Sequence, residues 1–179
     1  ELNKNGIYKF ETPFANLEDV EQITNIADRH FFTSPEGEYE FGKACRIGSY
    51  TQHIGNAIHD LFSKETIWDI ATQFYGTRPS FNEIFLTHDY TTAHGLARNG
   101  WLHFDRIPTL KFFMYLTDCE ATSGPFSYVP ESYQLGRQLR ETSYKTATNY
   151  GDIKNRLEID YPELGFTKEK VVPMTGPAG

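Results

Sequence analysis

The sequence predicts an α+β domain, with a helical first half and a β-rich second half. Three observations carry this. Apolar residues recur at helical spacing between positions 16 and 75. The pattern changes near position 81 to short runs rich in β-formers. The 179 residues suffice for one domain with a core and are too few for two ordinary ones. A single domain over 1–179 is therefore expected, with a mainly helical layer at 1–80 and strands over 81–179 interrupted by a polar insertion at 134–170.

In "NLEDVEQITNIADRHFF", Asn16 is placed to cap a helix, with Glu18 and Asp19 in the first turn and Leu17, Val20, Ile23 and Ile26 along one face. "SYTQHIGNAIHDLF" repeats the spacing with Ile54, Ala57, Ile58 and Leu61. Ser63 is positioned to cap a third helix carrying Ile67, Ile70, Ala71 and Phe74, which stops at Gly76 ahead of Pro79. "FNEIFLTHDY" (81–90) then reads as a strand, and "TTAHGLARNG" as a polar loop. "TLKFFMYLTD" alternates, with Leu110, Phe112, Met114 and Leu116 on one face and Lys111, Phe113, Tyr115 and Thr117 on the other. "SGPFSYVPES" gives a Gly-Pro turn and a short strand, "GDIKNRLEID" a helix, and "KVVPMTGPAG" a strand followed by a turn. An insertion as long as 134–170 is the usual form of a lid or binding segment.

Composition narrows the function classes. A net charge of −7 disfavours non-specific binding to nucleic acid or to an anionic membrane. No apolar run approaches the ~20 residues of a membrane helix, and "ELNKNGIYKF" lacks the pattern of a signal peptide. Cys45 and Cys119 form no C-x-x-C pair. Reduced thiols in a cytoplasmic protein are the expectation.

The chemistry concentrates in "NGWLHFDRIP". In an extended segment His103 and Asp105 point the same way while Phe104 turns to the opposite layer. One His, one carboxylate and a second His form the facial triad of non-haem Fe(II) oxygenases. The bland alternative is a surface histidine hydrogen-bonded to a neighbouring aspartate.

The longer stretch "HFDRIPTLKFFMYLTDCEATSGPFSYVPES" resembles the phytanoyl-CoA dioxygenase-like family of Fe(II)- and 2-oxoglutarate-dependent oxygenases. The resemblance rests on the H-x-D motif, the apolar strand ending in Leu116 and Asp118, the turn at Gly124 and Pro125, and Val129, Pro130 and Ser132. "IWDIATQFYGTRPSF" is similar to the family's N-terminal helical layer. Two positions depart from the pattern: Glu131 stands where glycine is usual, and Tyr133 where histidine is usual.

The resemblance implies a double-stranded β-helix, a jelly-roll barrel with an outer helical layer. It implies His103 and Asp105 as ligands of Fe(II), and 2-oxoglutarate and O₂ as co-substrates for hydroxylation of a small molecule. The family's third ligand is a histidine on a later strand, followed by an arginine that pairs with 2-oxoglutarate. All six histidines here (30, 53, 59, 88, 94 and 103) lie at or before position 103. The expectation is a sequence cut before that strand, leaving the barrel's C-terminal strands absent, activity poor, and an open edge that favours self-association.

His88, on a strand leading toward the motif, and Lys111 are candidates for binding the co-substrate. His94 is a candidate substitute ligand. Arg106 is ambiguous, and Trp101 reads as a packing residue. His53 and His59 read as helix-borne surface or core groups, and His30 as closing a helix, where a partial positive charge suits the C-terminal dipole. The alternative function is a non-catalytic cupin-like binding or scaffold protein. Against a cupin metal site, whose usual spacing is H-x-H, stands Asp105 in place of the second histidine.

Overall fold

Local sequence accounts for three helix boundaries, a start at Asn16 and ends at Ser63 and Gly76. The computed structural model describes residues 2–33, 38–39, 42–46, 56–80, 84–89 and 101–179. In chain order the elements are α1 (Leu2–Asn5), α2 (Leu17–Thr33), β1 (Glu38–Tyr39), β2 (Gly42–Arg46), α3 (Asn56–Phe62), α4 (Glu65–Tyr75), β3 (Phe85–Asp89), β4 (Ser127–Tyr128), α5 (Tyr133–Thr146), α6 (Leu157–Asp160) and β5 (Val172–Pro173). They fall into two compact units.

The first unit to consider comprises Phe10–Ala97, Phe113–Gly124 and Gly176–Gly179. Asn16 opens α2 as expected, its Oδ1 accepting from the Asp19 N–H at 2.8 Å and satisfying one orphan donor of the first turn. The buried stripe is Val20, Ile23 and Ala27. Leu17 is 75% exposed, because it occupies the first helical position, ahead of the packed stretch. Val20 and Ile23 join Ala15, Ile58 and Leu61 in a core closed by Leu86, Met114 and Leu116.

Ser63 does not cap α4. Its hydroxyl donates to the His59 carbonyl at 2.6 Å and so closes α3, while Lys64 precedes α4 without a side-chain cap. Lys64 instead donates to the Phe14 carbonyl at 2.8 Å and lies over the Phe14 ring. α4 buries Ile67 and Ala71 and stops at Gly76 in the left-handed conformation, φ 74°.

β1, β2 and β3 form an antiparallel sheet in that order. β3 is the strand expected over 81–90. β1 and β2 add two short strands to a stretch, 1–80, whose other described elements are helices: "EYEFGKACR" mixes charged residues and glycine, and what organises β2 is non-local pairing, from Gly42 opposite Asp89 to Arg46 opposite Phe85.

Over 110–117 burial follows the expected alternation except at Tyr115: Leu110, Phe112, Met114 and Leu116 are half-buried, Lys111, Phe113 and Thr117 are exposed, and Tyr115, expected on the outer face, is half-buried too. Yet no strand is assigned there among the described residues. Its pairing is intermittent, with Gly179 N–H donating to the Tyr115 carbonyl at 3.0 Å and Cys119 exchanging bonds of 2.8 and 3.0 Å with Gly176. Pro177 lies between those partners and has no N–H to continue a ladder.

The other unit comprises Glu1–Lys9, Arg98–Phe112 and Pro125–Thr175. β4 pairs with β5 antiparallel, Ser127 opposite Pro173 and Tyr128 opposite Val172, realising the two short strands expected there. Glu131 adopts a left-handed φ of 61°. α5 then runs for 14 residues through the stretch read as an insertion. The half-buried Leu135 and Leu139 and the buried Ser143 form its inner stripe at i, i+4 and i+8. The helix expected over 151–160 contracts to α6, preceded by a 3-10 turn at Tyr150–Asp152. Asn149 caps that turn by accepting from the Gly151 N–H at 2.8 Å, and Ile153 and Leu157 anchor the segment by burial.

Among the described residues the sheets have three strands and two, and no helix is long and apolar enough to cross a membrane.

Candidate functional site

The H-x-D segment is held by backbone pairing with residues 155–157. Phe104 N–H donates to the Asn155 carbonyl at 3.1 Å, and Leu157 N–H donates to the Leu102 carbonyl at 2.8 Å. This pattern makes His103 and Arg156 directly opposed partners of an antiparallel bridge, the close pair whose side chains share a face. Asn155 adds a second tie, its Nδ2 donating to the Phe104 carbonyl at 2.9 Å. Phe104 packs elsewhere: its ring lies 6.3 Å from that of Tyr161 and under the Arg140 guanidinium, and Gly136 comes close to its Cβ. Burial raises the Tyr161 phenol above its usual 10.0, reinforced by the charges of Asp160 and Glu163 and opposed by a hydrogen bond with Ser143.

His103 is exposed. Its Nδ1 lies 2.7 Å from the Trp101 carbonyl oxygen. A carbonyl only accepts, so Nδ1 carries a proton, and the tautomer this selects for the neutral form has its lone pair at Nε2. Carbonyl-oriented imidazoles of this kind are the usual form of a metal-ligating histidine.

Asp105 is engaged twice. Its backbone carbonyl accepts from Arg140 Nε at 2.8 Å, and its carboxylate meets Lys111 Nζ at 2.9 Å on Oδ1 and 2.8 Å on Oδ2. The structure therefore brings two of the expected residues together, though Lys111 faces a protein carboxylate rather than an open pocket. The ion pair is 47% and 35% exposed on its two sides, a setting in which such pairs are weak.

His88 belongs to β3 in the other unit, exposed and opposite Lys43. His94 and His53 lie outside the described residues. His59 is exposed in the last turn of α3, and His30 falls in the last turn of α2. Trp101, 39% exposed, contributes its carbonyl to His103. Cys119 is buried with a free thiol.

Among the described residues no group of three or more His, Cys, Asp or Glu side chains is arranged to hold a metal ion. The donor types of His103 and Asp105 nonetheless suit a first-row metal: one imidazole nitrogen and one carboxylate, the latter held among the described residues by a half-exposed lysine.

Asn155, Arg156 and Arg140 escaped the sequence reading. Asn155 reaches Phe104 across 51 positions, and no local pattern announces such a contact. Comparison with family models, with curated proteins and with solved structures gives no match to this chain.

Proposed function

We propose that this chain carries part of the centre of an Fe(II)- and 2-oxoglutarate-dependent hydroxylase built on a double-stranded β-helix, with His103 and Asp105 as metal ligands and a small molecule as substrate. The observation that carries the reading is the hydrogen bond from His103 Nδ1 to the Trp101 carbonyl. It leaves Nε2 as the ring nitrogen with a lone pair to offer, and Asp105 supplies a carboxylate two positions on in sequence. Iron, when bound, supplies O₂ activation coupled to decarboxylation of 2-oxoglutarate.

The chain's own residues orient and restrain. Asn155 clamps both sides of the Phe104 peptide, Phe104 anchors the strand by packing, and Arg140 holds the backbone carbonyl of Asp105. Lys111 neutralises Asp105 while no metal competes for it. A third protein ligand on the pattern of the resembling family is not contained in residues 104–179, which hold no histidine.

The test is Co(II) or Fe(II) binding by calorimetry and absorption, together with succinate formation from 2-oxoglutarate. The expected result is weak binding abolished by His103→Ala, and turnover far below ordinary enzymatic rates of about 1 s⁻¹ or more. Metal binding indifferent to His103→Ala and Asp105→Asn sinks the proposal.

One observation favours a second reading. Lys111 contacts both oxygens of Asp105, as expected if the motif is a structural ion pair in a non-catalytic binding or scaffold protein. On that reading Asp105→Asn lowers thermal stability and leaves metal affinity unchanged.

A further inference from the structure

Beside the H-x-D segment lies a cleft of about 300 Å³ bordered by Arg106, Lys154, Arg156, Asp152 and Asp160. We propose that it binds the oxyanion of a small molecule, a phosphate or a carboxylate, which gives the substrate of the proposed hydroxylase an anionic group. The binding itself does not depend on metal; only the role as substrate rests on the function proposed above.

Three cations border the cleft, and their donors are unspent. Arg106 Nε is buried and has no hydrogen-bond partner, although the guanidinium is held over the Tyr150 ring at 5.4 Å. A buried N–H left unpaired is costly, and no acceptor among the described residues answers this one. Arg156 uses its backbone N–H on Asp160 at 2.8 Å, and Lys154 uses its own on Ser143 Oγ at 2.8 Å. Neither side chain has an ion-pair or hydrogen-bond partner among the described residues.

The two carboxylates do not cancel this arrangement. Asp152 Oδ2 accepts from the Thr148 and Asn149 N–H groups, the Thr148 hydroxyl and Asn149 Nδ2. Asp160 Oδ2 accepts from the N–H groups of Asn155 and Arg156. Both acids are committed to tying turns, and the border keeps an excess of positive charge. Planar guanidinium donors suit a carboxylate or phosphate, and the cleft has room for a small ligand.

Position links the cleft to the motif. Arg106 follows Asp105 in sequence, and Arg156 is the bridge partner of His103. An anion seated here anchors one end of a molecule whose remainder extends along the H-x-D face.

The experiment is a titration of the full 179-residue chain, stripped of metal, with inorganic phosphate in low-chloride buffer, followed by the Arg Nε–H signals in NMR. The expected result is a saturable shift confined to Arg106 and Arg156, with a dissociation constant in the millimolar range. Arg106→Gln and the exposed Arg156→Gln should each weaken it about tenfold, while Lys145→Gln on α5 leaves it unchanged. Arg106→Lys, which keeps the charge but loses the fork, should fall between. His103→Ala should retain phosphate binding, so failure of the metal reading and failure of this one are separable. A shift that never saturates, or that moves all arginines alike, overturns the site. Tighter binding of 2-oxoglutarate than of phosphate at Arg106 and Arg156 overturns its assignment to the substrate.

Discussion

Replacing Lys111 by alanine separates a ligand from a structural ion pair. In the chain as it stands, the ammonium sits 2.9 and 2.8 Å from the two oxygens of Asp105. Both partners are about a third or more exposed, so breaking the pair costs about 0–1 kcal/mol. A metal at Asp105 must also tolerate the lysine's charge nearby. In water-like screening a unit charge about 5 Å from a divalent ion costs about 1.7 kcal/mol. Removing Lys111 should therefore tighten Co(II) binding by about 1–2 kcal/mol, roughly 5- to 30-fold, while lowering folding stability by no more than about 1 kcal/mol. Calorimetric titration of wild type, Lys111→Ala, Asp105→Asn and the double variant closes a cycle that isolates the coupling. Unchanged or weaker Co(II) binding in Lys111→Ala refutes the reasoning, because Asp105 would then not be a ligand from which the lysine is displaced. A gain that persists in the Asp105→Asn background would place the metal elsewhere.

Glu131 holds a left-handed φ of 61°, a conformation costing a non-glycine residue about 1–2 kcal/mol; Glu131→Gly should raise stability by about 0.5–1 kcal/mol in chemical denaturation after allowance for glycine's unfolded-state entropy. A side chain at Gly6, φ 74°, would put its Cβ 2.5 Å from that of Tyr133, so Gly6→Ala should cost about 1–3 kcal/mol and lower the melting temperature. Ser143 is buried and accepts from the Lys154 N–H at 2.8 Å; Ser143→Ala should cost about 1–3 kcal/mol and speed amide exchange at Lys154. The Thr148 hydroxyl, helped by the N–H groups of Thr148 and Asn149 against the penalty of burial, holds the Asp152 carboxyl below its usual 3.8. Its stabilising effect on the turn is therefore complete above that value and lost as pH falls through the lower native one, and an NMR titration in which the Thr148 amide moves only well above pH 3.8 contradicts this.

What was legible in the sequence was what local chemistry decides. Asn16 as a cap, Gly76 as a stop and the inner set Leu110, Phe112, Met114 and Leu116 depend on neighbours a few residues away, whereas the Ser127–Tyr128 strand also needs its distant partner, Val172–Pro173. Distant partners decide the rest. β1 and β2 exist through pairing that reaches β3, and α5 hides because its inner stripe ends in a serine within a polar sequence. The same divide runs through the site. The spacing of His103 and Asp105 marks them as candidates, and Lys111, expected to meet a carboxylate of co-substrate or substrate, meets that of Asp105 instead. Arg156 and Asn155 depend on a bridge that no periodicity encodes.

That bridge carries a consequence for how the protein can change. Asn155 grips the Phe104 peptide from both ends, and a slip of one residue in this register would turn His103 and Asp105 to the side now occupied by Phe104. The same short stretch supplies Lys154 and Arg156 to the cleft. Ligand preference and motif orientation are thus written in consecutive residues. Point substitutions at 154 and 156 can retune the cleft freely, but an insertion or deletion between 150 and 160 alters both at once. Variation in what the protein binds should therefore proceed by exchange of side chains along this segment, its length staying fixed.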